Sequence, residues 1–368
     1  VPKADELIAT PFRFGGDKGK AKAFFESGLR SAFDVLHKAQ DSNFPMTIYY
    51  AFKQTETQNR SKGDKGSLVS STGWETMLEG LLGAGFSVTA TWPVRTEKKG
   101  RILAVGTNAL ASSIVLACRP RAIDATSISR GDFRRMLTRE LDGALHQLQQ
   151  GNIAPVDLAQ ASLGPGISIF SRYARVVEAD GSAMKVRTAL QMINETMDEL
   201  LNAHEGEFDA DTQFAVTWHE QYGWATGSFG DGETLAKARN VSVSGVVEAG
   251  IAHAAAGMVR LLKRSELPNE WDPGADDRLT VWEATQHLIN RLELVGEDAA
   301  ASLLAALGPV AAQARNLAYR LYTTCERKGW AEEAQDYNGL VLAWPELERL
   351  AEGVGGLGGP SPQAELFE

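Results

Sequence analysis

TWPVRTEKKGRILAVGTNALASSIVLACRPR, residues 91–121, holds a polar cluster between two segments that both read as buried β-strands. FSVTATWPV, residues 86–94, is rich in β-formers, and SSIVLACRP is an apolar run closed by a basic residue. The two are close enough to pair as an antiparallel hairpin. What precedes and follows them decides the fold class.

Working backwards, Gly83-Ala84-Gly85 is a stop signal for a helix over about Trp74 to Leu82. MTIYYAFK, residues 46–53, reads as another buried strand, and residues 18–40 place Ala21, Phe24, Phe25, Leu29, Phe33 and Leu36 on one helical face. The polar stretch 55–71 between them reads as an exposed loop. Helix, strand, helix, strand, polar connection and strand describe the end of a mostly parallel, doubly wound sheet whose last strand is reversed. The chain opens on Val, and its first segment reads as the middle of a longer sequence, so a fragment or incomplete gene product is expected.

Beyond residue 124 the pattern turns to helices separated by Gly and Pro: 133–151, a short one over 152–166 closed by Gly164-Pro165-Gly166, then 182–203 and 209–223, capped by Asp209 or Asp211. Residues 233–264 read as a winged helix-turn-helix: a short helix, a turn at Asn240, a second helix from Ser242 or Ser244, and strands near Ala252 and Met258. Helices follow over 277–294, 297–307, 309–328 and 330–351, and the end from Gly353 reads as a disordered tail. The fold class expected is therefore α/β followed by all-α.

The net charge of −10 is unevenly spread. Residues 1–124 hold 17 Lys+Arg against 12 Asp+Glu, a net of +5, which leaves 20 against 35, or −15, for the rest. A basic front suits a nucleic-acid backbone. Cys118 and Cys325 are the two cysteines and lie far from one another, so neither a disulfide framework nor a metal site is expected. No apolar stretch is long enough to span a membrane, and the default location is cytoplasmic. The six His are scattered singly and read as surface or half-buried helix residues. A cofactor site for S-adenosylmethionine needs a Gly-rich turn after a strand, and base amino-group methylation needs a short Asp/Asn-Pro-Pro-aromatic loop. Neither occurs here, so any reactive centre of that kind is expected upstream of Val1.

VPKADELIATPFRFGG, MTIYYAFKQTE, GWETMLEGLLGAGFSVTATWPVRTE and GTNALASSIVLACRPR resemble the carboxy-terminal part of the bacterial adenine-specific DNA methylases that contain a zinc ribbon, and the likeness continues through GPGISIFSRYARVVEADG, DDRLTVWEATQHLI and LAYRLYTTCERKGWAEEAQDYNGLV. The resemblance implies the C-terminal half of a Rossmann-like methyltransferase sheet over residues 1–124. A helical region over 125–232, the winged element over 233–266 and a helical region over 267–352 would follow. It implies S-adenosylmethionine as cofactor of the complete enzyme, with none bound by this portion alone. It also implies DNA, the missing amino-terminal half and other phage-defence proteins as partners. The rival reading is a non-catalytic DNA-binding or assembly module of a defence complex.

Candidate residues follow from strand ends and charge. Tyr49, Tyr50, Lys53 and Glu56 end the first strand, where ligands meet a doubly wound sheet, although either Tyr reads equally well as core. Trp92, Arg95, Glu97 and Asn108 at the hairpin are base-pocket candidates: Trp can stack on an extruded base, or pack at a sheet edge while Arg95 pairs with Glu97. Arg60, Lys62, Lys65, Lys98, Lys99 and Arg101 are candidates for the DNA backbone, and Arg260, Lys263 and Arg264 are the same for the wing. Arg119 and Arg121 read as solvated.

Overall fold

A computed structural model describes residues 6–8, 10–51, 72–95, 112–151, 153–203 and 208–355. The chain is mixed α/β and mostly helical, and divides into two compact units, one formed mainly by residues up to 200 and one by residues from 201 onward.

In the first unit a short 3-10 turn, Pro11–Phe14, leads into α1, Lys18–Ala39, whose cap Asp17 accepts from the Lys20 amide at 3.0 Å. β1, Met46–Ala51, α2, Thr72–Gly83, β2, Phe86–Arg95, and β3, Ser112–Pro120, follow. The sheet order is β1-β3-β2, with β3 antiparallel to both neighbours, so β1 and β2 run parallel to each other. The hairpin expected from residues 91–121 is present, and its reversed strand lies between the other two. Ile114, Leu116 and Cys118 are buried on one face of β3. That face is aligned with Ile48 and Tyr50 of β1, and the Tyr50 ring packs 5.0 Å from Trp74 of α2. The stop after α2 works as the sequence predicts: Gly85 takes a φ of +92°, where a Cβ would also press on the His37 ring.

Two short strands were not legible in the sequence: β4, Ser127–Ser129, pairs in parallel with β5, Arg175–Val177. They flank α3, Arg130–Gln150, and α4, Pro155–Ser171. Here Gly164-Pro165-Gly166 does not end the helix, which continues through Pro165. The reason is tertiary: a Cβ on Gly164 would lie 1.7 Å from Thr91 Oγ1, and one on Gly166 2.6 Å from Ile193. The two glycines let α4 approach β2 and α5, Val186–Ala203, and that packing outweighs the amide lost at proline. α5 starts at Val186 rather than 182, because residues before it form a turn in which Asp180 accepts from the Ser182 amide. Ser171 Oγ accepts from the Val88 amide at 2.9 Å. Arg121, expected in solvent, instead donates to the Ser171, Leu82 and Phe86 carbonyls, and burial lowers its pKa.

The second unit begins with α6, Ala210–Tyr222, followed by β6, Gly227–Ser228, α7, Phe229–Ala238, α8, Val243–Glu248, β7, Ala252–Ala255, and β8, Met258–Leu261. These strands form an antiparallel sheet of order β6-β8-β7. Asn240 turns the chain between α7 and α8 at a φ of 57°, and Ser242 caps α8. α9, Val281–Leu294, α10, Glu297–Leu307, α11, Pro309–Lys328, and α12, Ala331–Gly355, complete it around Trp282, Leu288, Tyr319, Tyr337 and Trp344. Asp209 caps α6 and also accepts from the Val281 amide, while Thr212 Oγ1 accepts from the Trp282 amide, so one pair of side chains serves the starts of α6 and α9. The helix that ends the described residues runs to Gly355, past Gly353 where the tail was expected to begin; 356–368 lie outside the described residues.

Replacing Gly164 with Ala should lower the thermal unfolding midpoint of the first unit, by an amount equivalent to ~1–3 kcal/mol of overpacking. Gly164→Ala combined with Thr91→Gly should recover part of it, because the Thr91 Cβ itself would lie 2.5 Å from the added methyl. Equal midpoints for Gly164→Ala and wild type would contradict the close approach of α4 to β2.

Candidate functional site

The three-stranded sheet settles the two tyrosines differently. Tyr50 faces α2 and the core, whereas Tyr49 is 75% exposed. Tyr49 and Trp92 are both aligned with Val115, so the register sets them in one row on the same face of the sheet. Trp92 is 53% exposed and Val94 also reaches solvent. Arg95 closes β2 opposite Ser112, and Ser113 is buried. Lys53, Glu56, Arg60, Lys62, Lys65, Glu97, Lys98, Lys99, Arg101 and Asn108 lie outside the described residues. Arg119 donates to the Ser42 and Asn43 carbonyls, which fixes the turn before β1.

Among the described residues no strand of this sheet leads through a Gly-rich turn into a helix. Among the described residues no group of His, Cys, Asp and Glu is placed to hold a metal ion, and no helix is long and apolar enough to cross a membrane.

Two of the three wing candidates, Arg260 and Arg264, have other occupations. Arg260 forms a two-pronged pair with Glu266, at 2.6 and 2.7 Å, which holds the Glu266 carboxyl down to about 2. Arg264, expected at a DNA phosphate, is largely buried: its guanidinium pairs with Glu333 and Asp336, donates to Gln286 at 2.8 Å, and lies over the Trp224 and Tyr337 rings. Burial opposes its charge, but Tyr337, Glu333 and Asp336 outweigh burial, and the net effect raises its pKa. Lys263 is exposed.

Sequence reasoning missed the polar interior of the second unit. His219 and His287, read as surface or half-buried, are buried. His219 stands among Trp224, Trp282 and Trp330, with neither ring nitrogen hydrogen-bonded, and burial lowers its pKa to about 4. His287 stacks flat on Trp271 at 4.1 Å, and burial lowers its pKa to about 4 as well. Glu283 is buried beside the α9 cap Thr280 and against Gly250, where a Cβ would lie 2.2 Å from its Oε1. Burial and then the Asp276 carboxylate push Glu283 up to about 8. A usable signal was present in TVWEATQHLIN: Trp282 and Ile289 lie away from the apolar stripe of Val281, Ala284 and Leu288, among polar residues, so a helix with all of them inside must bury some of those polar residues.

The unfolded chain releases the Glu283 proton near 4.5, while the folded chain keeps it to about 8. Its effect on stability is therefore most favourable below 4.5 and is lost as pH rises through that window. Unfolding midpoints from pH 4.5 to 8 should show wild type losing ground to Glu283→Gln, with a constant difference above. Parallel curves across the window would contradict a buried, protonated Glu283.

Residues 209–366 are similar to a family described as a domain of unknown function (DUF8807). No curated protein and no solved structure matches the chain.

Proposed function

We propose that this chain is the carboxy-terminal portion of an S-adenosylmethionine-dependent, adenine-specific DNA methyltransferase of a phage-defence or modification system, working in the cytoplasm. The observation that carries the reading is the β1-β3-β2 order, with β1 and β2 parallel, α2 between them in sequence and β3 reversed in the middle. A doubly wound, Rossmann-like sheet that closes on a reversed strand has this end.

Two further features support it. β3 reads IVLAC without alternation, the pattern of a strand covered on both faces, and an antiparallel sheet with one wet face would alternate. Of thirteen large hydrophobic side chains exposed among the described residues, nine precede residue 124, Phe12, Phe44 and Ile123 among them. An apolar front of this kind suits a surface completed by further protein.

In the complete enzyme Trp92 and Tyr49 would offer ring faces to an extruded adenine, with Arg95, Glu97 and Asn108 at the rim. Arg60, Lys62, Lys65, Lys98, Lys99 and Arg101 would hold the DNA backbone. The cofactor supplies the methyl group, and the residues binding it belong to the amino-terminal half. In the second unit, α6 through β8 reads as a winged helix-turn-helix, supported by the left-handed turn at Asn240, the Ser242 cap and the β6-β8-β7 sheet.

The test is transfer of labelled methyl from S-adenosylmethionine to duplex DNA by this chain alone, and by a polypeptide that also carries the upstream coding region. Label on adenine N6 is expected from the longer polypeptide and not from this chain, with Trp92→Ala lowering the rate by about 10-fold or more. Calorimetric binding of the cofactor by this chain alone, or absence of adenine labelling by the longer one, would overturn the proposal.

A further inference from the structure

The winged element carries five Lys and Arg, at 237, 239, 260, 263 and 264, and four of them pair or hydrogen-bond with side chains of the second unit, while Lys263 is exposed. Lys237 lies 3.6 Å from Glu233. Arg239 donates to Gln213 and Thr217. Arg260 is held by Glu266, and Arg264 is buried against Glu333 and Asp336. Residues 201–368 hold 12 Lys+Arg against 26 Asp+Glu, a net of −14. Affinity for DNA comes chiefly from cations that displace the counterions of phosphates, and this element sets only exposed lysines, Lys263 and Lys237, the latter beside Glu233, in a strongly acidic surrounding.

What it does present is apolar. Phe229, at the start of α7, and Met258, at the start of β8, are 40% and 42% exposed. They are neighbours: Ser228 pairs with Met258, and the Phe229 amide donates to the Gly257 carbonyl at 2.8 Å. The turn between β7 and β8 is Ala256-Gly257, both left-handed, with no side chain large enough to cover the pair. Thr226, Ser228 and Gly230 around Phe229 are exposed and small, and the first turns of α7 add Asp231 and Glu233. Two partly exposed large apolar residues thus stand on adjacent backbone positions, with the Asp231 and Glu233 carboxylates close by in the chain.

We propose that this face of β6, α7 and β8 docks a protein segment in which an apolar side chain is flanked by Lys or Arg. Phe229 and Met258 supply the anchor, and the acidic border selects the charge of the partner and speeds its approach. The winged element is then an assembly surface, which goes beyond the methyltransferase reading and stands or falls separately from it.

The experiment titrates the full chain with three labelled probes at low salt, followed by fluorescence anisotropy: a short amphipathic helix of Leu and Lys, the same peptide with Glu in place of Lys, and duplex DNA. The Leu/Lys peptide should bind saturably and the Leu/Glu peptide should not. Phe229→Ser with Met258→Ser should weaken binding by about 10-fold or more, and Glu233→Lys by a smaller factor. Phe229 and Met258 are only 40% and 42% exposed, so the double variant should keep its circular dichroism but lose some stability, whereas the exposed Glu233→Lys should keep both, which separates loss of the surface from loss of the fold. Leu/Lys binding that ignores these substitutions, or no such binding, overturns the proposal. So do DNA binding that is stronger than peptide binding and lost in Lys263→Ala, and self-association of the chain that disappears in the double variant.

Discussion

Everything in the first unit depends on β3 being inserted between β1 and β2. Because its amides and carbonyls are shared with both neighbours, its register sets theirs: Ile48 and Thr91 meet Leu116, and Tyr49 and Trp92 meet Val115. One face of the sheet is thereby given to Trp74 and the helical layer, and the other keeps an aromatic row in solvent. The bulge between Val88 and Ala90 keeps the long strand β2 in step with β3, and the Val88 amide there is bonded by Ser171 at the end of α4. Arg121, just past β3, then ties α4 to the end of α2 through three carbonyls. A strand, a helix end and one guanidinium account for how the sheet and its helices are fixed.

The second unit is organised by buried polar groups. Arg264 is the centre, with two carboxylates, an amide and two aromatic rings around it. A charge buried in this way is costly unless every partner is in place, so it specifies how η-turn residues 264–266, α9 and α12 meet. Two of the cations in residues 233–264, Arg260 and Arg264, are thus taken up by carboxylates of the same unit.

The three long strands and most helices were legible because each is an apolar run or face bounded by Gly, Pro or a capping side chain. Asp17, Ser242 and the glycine at 85 act locally, and local chemistry can be read from sequence. β4 and β5 were not, since three residues are too few for any periodicity. Gly164-Pro165-Gly166 misled because its meaning lies in Thr91 and Ile193, far away in the chain. The sites divided in the same way. Tyr49, Tyr50 and Trp92 could be picked out as candidates, but which tyrosine is exposed follows only from the register with β3, and Arg264 could not be separated from a wing cation, because its partners Glu333 and Asp336 are 69 and 72 residues away.

The central claim is that β1-β3-β2 is the end of a larger doubly wound sheet. It is tested most directly by amide hydrogen exchange in β1, Met46–Ala51, measured in this chain and in a polypeptide that also carries the upstream coding region. The account predicts that β1 amides exchange more slowly in the longer polypeptide, as an edge strand becomes an interior one, while α9 to α12 exchange alike in both. Identical exchange of β1 in the two polypeptides would contradict it.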